Sequence, residues 1–391
     1  MFFGEHCCII ATDIGTEVEY SYMGKKLRVA LVHDYLAEYG GAERVLEALH
    51  QLFPDAPVYT AFVDQERLGI QWQRFSDWDI RTSWLTKIPF HKRLFSPLRI
   101  FAPQFFSGFD LSEFDLVISS TNAYFAKAVK IRHGAVHLSY CHTPSRSLWG
   151  YTTMTNWKKH AIIRIGGELI NHYLRVVDVQ IARERVTHFI ANSKETARRI
   201  EKFYRLPATV VYPPINVPAK LSTAKKQDYF LYINRLAWSK HPEIAVMACS
   251  KLGLPLKVVG SGKMMPQLRQ IAGPTVEFLG FAKDADLQAL YSNAQALLYP
   301  VEDEDFGMVP VEAMAQGTPV IAHASGGPLE TVIDGKTGVL FSDLTIEGLT
   351  KALQRFRKEK FSPDVIWKHS KQFDQAHFNA GIQQVISSQV Q

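Results

Sequence analysis

Two glutamates eight positions apart carry the clearest chemical signal in the sequence. Glu304 falls in a polar loop that follows a predicted strand, and Glu312 falls one turn into the next predicted helix. That helix is expected to begin near Met308 and to end at Gly317. Its first turn offers unpaired N–H groups and the positive end of the helix dipole, which together bind anions. Since carboxylates can hold paired sugar hydroxyls, the arrangement suits a sugar that is attached to a diphosphate.

Three further segments contain residues that could complete such a site. Gly41 precedes a helix and would let backbone N–H groups approach a phosphate. Arg235 and Lys240 border a strand-to-helix crossover, where they could neutralise a diphosphate. His142 directly follows a strand, before Thr-Pro. Each has a plainer alternative: a simple turn for Gly41, strand-end charges for the two cations, and a hydrogen-bonded core residue for His142.

The segment from Glu304 to Glu312 resembles the E-x7-E motif of family 4 of the GT-B glycosyltransferases. The resemblance extends over nearly the whole chain from Leu27. It includes a glycine loop at residues 40–45 and a histidine loop at residues 140–144. The segment that enters the hinge matches at residues 190–193 and 211–216, and a Gly-Arg-Leu…Lys phosphate clamp matches at residues 233–240. Three shorter matches lie at residues 259–262, 277–280 and 325–330. In the clamp, Asn234 stands where the family usually has glycine.

The resemblance implies that a hexose is transferred from a nucleoside diphosphate sugar to an acceptor hydroxyl. It also implies retention of the anomeric configuration, with neither a metal nor another cofactor. Glu312 would hold the ribose, Glu304 would hold the transferred sugar, and His142 would bond to that sugar from the opposite domain. The implied catalytic residues are His142, Arg235, Lys240 and Glu304. The implied donor-binding residues are Gly40, Gly41, Gly260, Phe306, Gly307 and Glu312.

The acidic run around Glu304 permits one other interpretation, a metal site. Asp303 and Asp305 form the D-x-D pattern that binds metal in the other main glycosyltransferase fold. There the pattern follows the nucleotide-binding strands of the first domain. Here it precedes Phe306-Gly307 and a helix in the second half of the chain, so no metal site is predicted.

Alternating strand and helix patterns must position these residues. Strands are predicted at residues 28–33, 57–62, 116–120, 136–141 and 188–192, and then at 229–234, 256–260, 276–279, 296–299, 319–322 and 338–341. An amphipathic helix is predicted at residues 42–53. Repeated β–α–β units predict an α/β fold with parallel sheets. We therefore expect two Rossmann-like domains that face each other across a ligand cleft.

The pattern breaks near residues 212–228, which suggests the domain organisation. Residues 23–215 form an N-terminal acceptor-side domain and residues 216–373 a C-terminal domain that binds the nucleotide sugar. The last helical stretch covers residues 362–388, and residues 374–391 are expected to cross back to the first domain. Residues 1–22 are expected to be an extension outside the fold, with Met23 as the biological start; the alternative is a genuine disordered tail.

Composition excludes several protein classes. The chain has 391 residues, 47% of them hydrophobic and 21% charged, and no low-complexity tract or membrane-length apolar run. Four scattered cysteines, Cys7, Cys8, Cys141 and Cys249, suit a reducing cytoplasm rather than a disulfide framework. Residues 23–215 hold 26 basic and 17 acidic residues. Despite this excess no nucleic-acid recognition motif is present, so nucleic acid is not expected as a partner.

The residues present disfavour two other enzymes of this fold and one non-catalytic function. A sugar epimerase would lack the Arg235-x4-Lys240 clamp together with E-x7-E. Glucan synthases usually carry Lys-x-Gly-Gly, where this chain has Glu38-Tyr-Gly-Gly. A non-catalytic nucleotide-sugar or polysaccharide binding protein would have lost charged site residues.

The Tyr140–His142 loop and the Glu-Asp-Phe-Gly variant resemble bacterial surface-polysaccharide mannosyltransferases, which weakly favours GDP-mannose over a UDP-sugar.

A basic and aromatic segment suggests a membrane contact. Residues 81–109 contain no acid but hold five cations and several aromatic rings, among them Arg81, Lys87, Lys92, Arg93 and Arg99 with Trp84, Phe90, Phe95 and Phe101. Such side chains suit an anionic bilayer surface. The alternative is a buried aromatic loop with solvated charges. The expected partners are therefore a nucleotide-sugar donor, a glycan or lipid-linked acceptor and peripheral anionic membrane, at the inner face of the plasma membrane.

Overall fold

The computed structural model describes residues 10–14, 17–22, 25–122, 124–151, 161–223 and 225–390. The chain divides into two compact units. Of the described residues, those up to Pro214 and from Phe378 onward belong to the first unit, and residues 215–377 belong to the second. Each unit has its own parallel sheet with helices, so the predicted α/β fold with two Rossmann-like domains is confirmed.

A small antiparallel sheet precedes the first domain. Its strands are β1 (Ile10–Ile14), β2 (Glu17–Tyr22) and β3 (Lys25–Lys26). Among the described residues, these strands form a sheet separate from the two larger ones. Part of residues 1–22, the predicted extension, therefore has strand structure of its own, while Met23 lies outside the described residues.

Seven parallel strands form the sheet of the first domain. They are β4 (Val29–His33), β5 (Val58–Thr60), β6 (Ile80–Thr82), β7 (Leu116–Thr121), β8 (Val136–Cys141), β9 (His188–Ala191) and β10 (Ala208–Val210), in the spatial order β10-β9-β8-β7-β4-β5-β6. The five longer predictions are confirmed. The edge strands β6 and β10 were missed, because they are short and partly exposed, and their sequences lack the apolar run of a central strand.

The helices of the first domain follow these strands. They are α1 (Gly41–Leu52), α2 (Gln65–Leu68), α3 (His91–Leu94), α4 (Ala102–Ser107), α5 (Arg146–Trp149), α6 (Ala161–Arg185) and α7 (Lys194–Tyr204). Short 3-10 turns lie at Gly69–Arg74, Trp84–Lys87, Pro97–Phe101 and Ala126–Ala128. Helix α1 begins where predicted, and the Glu43 carboxylate accepts a hydrogen bond from the Gly40 N–H at 2.8 Å, which satisfies a donor at the helix start.

Six parallel strands form the sheet of the second domain. They are β11 (Phe230–Ile233), β12 (Leu256–Val259), β13 (Val276–Gly280), β14 (Leu297–Tyr299), β15 (Val320–His323) and β16 (Gly338–Phe341), in the order β13-β12-β11-β14-β15-β16. All six correspond to predicted strands. The helices are α8 (Pro242–Leu252), α9 (Met265–Ile271), α10 (Asp284–Asn293), α11 (Met308–Ala315), α12 (Pro328–Thr331), α13 (Ile346–Phe356) and α14 (Pro363–Ser370), with 3-10 turns at Trp238–Lys240 and Lys371–Phe373.

The last helix, α15 (Gln375–Gln389), contributes to the core of the first domain. Its buried side chains are Phe378, Ile382, Val385 and Ile386, and they join a cluster with Val45, Leu46 and Leu49 of α1. The predicted single helical stretch at residues 362–388 is therefore wrong in one respect. A 3-10 turn and the residue Asp374 separate α14 from α15.

Candidate functional site

The loop between β14 and α11 has the geometry that the sequence predicted for a helix-start anion site. Gly307 lies immediately before the helix with φ +83°, a left-handed conformation that favours glycine. Helix α11 starts at Met308, and Pro310 lies in its first turn, where a missing N–H costs no hydrogen bond. The loop can therefore turn sharply and leave the first N–H groups of α11 without helical partners.

Glu304 and Lys240 form an ion pair in this loop. Lys240 Nζ donates to Glu304 Oε2 at 2.5 Å, and their side chains are only 17% and 13% exposed. The Tyr299 hydroxyl donates to the same oxygen at 2.7 Å. Burial, followed by the Glu304 charge, raises the pKa of Tyr299 well above its ordinary value, so the phenol keeps its proton. The structure thus brings together two predicted site residues and a tyrosine that the sequence analysis missed.

The chain around Lys240 is fixed by the neighbouring strands. Lys240 ends the 3-10 turn at Trp238–Lys240, and its carbonyl accepts a hydrogen bond from the buried Tyr232 hydroxyl at 2.9 Å. Arg235 lies just beyond β11 with an exposed side chain. Both predicted clamp cations therefore lie in the segment between β11 and α8.

Two glycines bring the following segment against the Glu304 loop. A Cβ added to Gly326, where φ is +62°, would lie 2.1 Å from the Glu304 carbonyl oxygen. A Cβ on Gly327 would lie 2.0 Å from the Phe306 carbonyl oxygen. The Gly327 N–H donates to the Glu304 carbonyl at 2.9 Å. The backbone of the acidic loop is therefore held by the segment at Gly326 and Gly327, which can lie this close only because neither residue has a side chain.

A second pair of glycines lies against the backbone of the predicted phosphate clamp, at Asn234 and Leu236. A Cβ on Gly260 would lie 1.9 Å from the Asn234 carbonyl oxygen, and one on Gly262 would lie 2.2 Å from the Leu236 carbonyl oxygen. The Leu236 N–H donates to the Ser261 carbonyl at 2.9 Å. Close backbone approach occurs here through the glycines of the Val259-Gly-Ser-Gly turn rather than through a glycine at position 234.

The two other predicted donor residues of this loop differ in exposure. The Phe306 side chain is 2% exposed and packs against Phe373, with 5.7 Å between ring centroids. The side chain therefore belongs to the core and is not exposed for contact with a donor. Glu312, in α11, accepts a hydrogen bond at 2.8 Å from the hydroxyl of Tyr291, the second tyrosine that the sequence analysis missed.

His142 lies directly after β8 and is the end of a buried chain of polar contacts. Its Nε2 is 2.9 Å from Ser120 Oγ, which is 3.1 Å from His33 Nδ1. His33 Nε2 is 3.5 Å from Glu43 Oε1. We call these four residues, Glu43, His33, Ser120 and His142, the histidine relay. Burial lowers the pKa of His142 to about 3, so its ring is neutral near pH 7.

Three neighbouring parallel strands bring the relay together. His33 ends β4, Ser120 is the penultimate residue of β7, and His142 follows β8, so all three lie at the carboxyl edge of the sheet. The loop of His142 is held by α7, where the Thr196 hydroxyl donates to the His142 carbonyl at 3.1 Å. The sequence analysis singled out only His142. A polar residue at the end of an otherwise apolar strand, as in β4, was the available signal for His33.

Glu43 links the relay to the predicted glycine loop. Its Oε1 faces His33, and its Oε2 accepts the N–H of Gly40. Gly41 is the first residue of α1. Gly40, one of the two glycines predicted to bind the donor, is therefore connected to His142 through Glu43, His33 and Ser120, although no spacing rule in the sequence related them.

The basic and aromatic segment at residues 81–109 is only partly available at the surface. Arg99 is bonded inside the domain, donating to Ser147 Oγ at 2.7 Å and to Asn171 Oδ1 at 2.6 Å. Lys92 pairs with Asp64 at 3.0 Å. Lys87 and Arg93 are exposed, as are the apolar side chains Trp84, Phe90, Leu94 and Phe101. Arg81 is exposed too, but it pairs with Asp79 at 2.8 Å.

Helix α6 also exposes an apolar face in the same domain. Its buried face carries Asn171, Leu174, Asp178 and Ile181, whereas its exposed side chains include Ile165, Leu169, Ile170, Tyr173 and Val176. The Arg99–Asn171 bond attaches the exposed segment at residues 84–101 to this helix.

No helix within the described ranges is long and apolar enough to cross a bilayer. In those same ranges, no three His, Cys, Asp or Glu side chains are grouped to hold a metal ion.

Comparison with known proteins assigns a family model to each half of the chain. Residues 39–218 match the model of Glycosyltransferase Family 4, and residues 216–377 match that of the group 1 glycosyl transferases. Together the two models account for both domains.

Individual relatives agree with these models. A GDP-mannose-dependent alpha-mannosyltransferase of Mycolicibacterium smegmatis is 36% identical over 122 residues, 31% of this chain and 32% of that protein. An alpha-1,3/1,6-mannosyltransferase of Schizosaccharomyces pombe is 25% identical over 378 residues, 80% of this chain and 70% of that protein. Among solved structures, Anabaena HepE in complex with UDP and glucose superposes with a TM-score of 0.66 at 19% identity, over 93% of this chain and all of that one.

Proposed function

The chain belongs to the GT-B glycosyltransferases of family 4 type, and on this premise we propose that it transfers a hexose from a nucleoside diphosphate sugar to an acceptor hydroxyl. We further propose GDP-mannose as the donor, retention of the anomeric configuration, and a reaction that needs no metal. The observation that carries this proposal is the partly buried Lys240–Glu304–Tyr299 cluster beside the start of α11.

Each member of the proposed machinery has a distinct role. The bond between the anomeric carbon and the leaving phosphate oxygen breaks while the acceptor oxygen bonds to the same face of that carbon. The acceptor proton passes to the leaving phosphate. Lys240, Arg235 and the N–H groups that start α11 stabilise the growing negative charge on the diphosphate. Glu304 holds the transferred hexose, Glu312 the ribose, and His142 a hexose hydroxyl.

GDP-mannose is supported by two kinds of relative. The M. smegmatis protein is named for this donor, although the match spans only a third of its length. The S. pombe mannosyltransferase matches over most of both chains. Both agree with the weak preference that the Tyr140–His142 loop and the Glu-Asp-Phe-Gly variant gave. A glycan or a lipid-linked sugar is the proposed acceptor.

A donor panel tests this function directly. We expect GDP-mannose to raise the melting temperature more than UDP-glucose, UDP-galactose or UDP-N-acetylglucosamine does, since a ligand that binds only the native state stabilises it. With this donor, release of GDP should survive excess EDTA, because protein cations and helix N–H groups balance the diphosphate charge. Complete loss on chelation, restored by Mg²⁺ or Mn²⁺, would instead favour the metal interpretation of Asp303 and Asp305.

We also propose that the first domain contacts anionic membrane through the exposed part of residues 84–101. Lys87 and Arg93 supply positive charge there, and Phe90, 74% exposed, together with Leu94 and Phe101 supplies apolar contact. Phe90 has φ +58°, a conformation that is costly for a residue with a Cβ and that sets its ring at the surface. Such a contact would bring the domain to a lipid-linked acceptor.

Vesicle binding should depend on two of the five cations in residues 81–109, Lys87 and Arg93. Lys87→Ser/Arg93→Ser should weaken binding to vesicles that contain anionic lipid by roughly 30-fold at low salt, since each cation contributes about 1 kcal/mol. Lys358→Ser/Lys360→Ser, which removes two exposed charges from the second domain, is the matched control and should bind like the wild type. Binding that is equal on neutral and anionic vesicles, measured by co-sedimentation, would contradict the proposal.

A further inference from the structure

We propose that Glu43 sets the tautomer of His142 through His33 and Ser120, so that the His142 Nδ1 lone pair accepts a hydrogen bond from a hydroxyl of the transferred sugar. This inference rests on the proposed function for its last step only. Glu43, His33 and Ser120 are positioning residues, whereas His142 contacts the substrate. The relay is buried: the exposed fractions of His33, Glu43 and His142 are 2%, 6% and 7%, and that of Ser120 is 0%.

The Glu43 carboxylate determines which nitrogen of each histidine in the relay carries the hydrogen. A carboxylate has no hydrogen to donate, so the favoured arrangement presents an N–H of His33 to Glu43 Oε1. The facing atom is Nε2, at 3.5 Å. A neutral imidazole with its hydrogen on Nε2 has a lone pair on Nδ1, and this lone pair faces Ser120 Oγ at 3.1 Å.

The serine transmits this direction to the second histidine. Ser120 has one hydroxyl hydrogen, and His33 Nδ1 accepts it. The Ser120 oxygen then faces His142 Nε2 at 2.9 Å with lone pairs only, so Nε2 must carry the hydrogen. Since burial lowers the pKa of His142 to about 3, its ring carries a single hydrogen and Nδ1 is left as an acceptor.

The opposite direction is disfavoured by electrostatics. It would place the hydrogen of His33 on Nδ1 and turn the Nε2 lone pair toward the Glu43 carboxylate at 3.5 Å. Two electron-rich groups would then face each other in a buried site, where charge interactions are stronger than in water. For a neutral His33, the carboxylate therefore selects one of the two directions.

The outer nitrogen of His142 is available for a ligand. Within the described part of the chain, His142 Nδ1 has no hydrogen-bond partner, whereas its Nε2, its N–H and its carbonyl are all bonded. A neutral acceptor suits a sugar hydroxyl, which can donate to it. It would also impose no positive charge beside a ring that becomes positive in the transition state.

Glu43→Gln is the variant that reverses the relay without removing the helix cap. The glutamine carbonyl oxygen can still accept the Gly40 N–H, because glutamine serves in this capping position. Its amide NH2 can donate to His33 Nε2. His33 would then carry its hydrogen on Nδ1, Ser120 would donate to His142 Nε2, and His142 would carry its hydrogen on Nδ1.

The test is a long-range 1H–15N correlation spectrum of the ligand-free, 15N-histidine-labelled protein, with His142 assigned from the signals missing in His142→Gln. We expect a hydrogen on Nε2 in the wild type and on Nδ1 in Glu43→Gln. Glu43→Gln should also lower kcat/KM by about tenfold or more, while the affinity for the nucleoside diphosphate alone stays within about twofold. Glu47→Gln is the matched control. Glu47 lies one turn later in α1, bonded to Tyr39 and Arg74, and its variant should match the wild type.

Several outcomes would overturn the inference. A wild-type His142 with its hydrogen on Nδ1, or an unchanged spectrum in Glu43→Gln, would remove Glu43 from control of the tautomer. A reversed tautomer with unchanged kcat/KM would remove the sugar contact. If Glu43→Gln fails to fold, Ser120→Ala breaks the same relay and should give a mixture of both His142 tautomers; a single unchanged tautomer would contradict the relay. Should the chain transfer no sugar at all, the proposed function fails, but the spectra still decide the relay.

Discussion

Lys240→Met should lower kcat by about 100-fold or more, the scale expected when one preorganised charge stabiliser is lost. The methionine keeps most of the apolar stem and removes only the ammonium group that bonds Glu304 at 2.5 Å. We expect the variant to fold, because the site loop is also held by the Tyr299 hydroxyl and by the Gly327 N–H. Turnover and melting temperature, measured on the same preparation, separate the two effects.

The matched control for Lys240→Met is Lys251→Met. Lys251 also pairs with a glutamate of the second domain, Glu347, at 3.3 Å, but both side chains are more than half exposed. Such a surface pair contributes little, so kcat and stability should stay near the wild-type values. Near-full activity in Lys240→Met would remove this residue from the mechanism. Arg235→Ala, tested alongside, should lose turnover on a similar scale.

Gly326→Ala should lower kcat/KM by about 100-fold through displacement of the Glu304 loop. The added Cβ would lie 2.1 Å from the Glu304 carbonyl oxygen, so the backbone there must move by about an ångström. A displacement of this size is enough to disturb a catalytic arrangement on that scale. Steady-state kinetics would report the loss, and circular dichroism would show whether the sheet remains.

Gly335→Ala separates backbone strain from displacement of the loop. Gly335 has a similar left-handed conformation, with φ +73°, but the closest atom to an added Cβ is an Arg355 side-chain nitrogen at 4.0 Å. Both alanine variants therefore carry the cost of a positive φ, and only Gly326→Ala presses on the site. Equal activity losses in the two variants would contradict our account of Gly326.

Structural features that depend on the local sequence were predictable. The central strands read as short apolar runs because both faces of a parallel sheet are covered, and the start of α11 followed from glycine and proline placement. The break at Asp374 was not predictable from periodicity, since α14 and α15 both have helical patterns and only the folded core shows that they end in different units.

The hydrogen-bond partners of the site residues were the main feature that the sequence did not predict. Tyr299 contacts Glu304 from within five residues, but the sequence gives no sign that its hydroxyl turns toward the loop. His33 and Ser120 are 87 positions apart and meet only because β4 and β7 are neighbours in the sheet. Side-chain contacts between distant strands depend on register, which the apolar pattern alone does not specify.

The place of α15 in the first domain has a consequence for how the chain folds during synthesis. Proteins generally fold from the N-terminal domain onward as they leave the ribosome. Here the first core lacks Phe378, Ile382, Val385 and Ile386 until residues 378–386 have emerged, whereas the second domain is continuous from residue 215 to residue 377. The second domain can therefore complete its core while the first still exposes the apolar surface of α1 to the translation machinery and its chaperones.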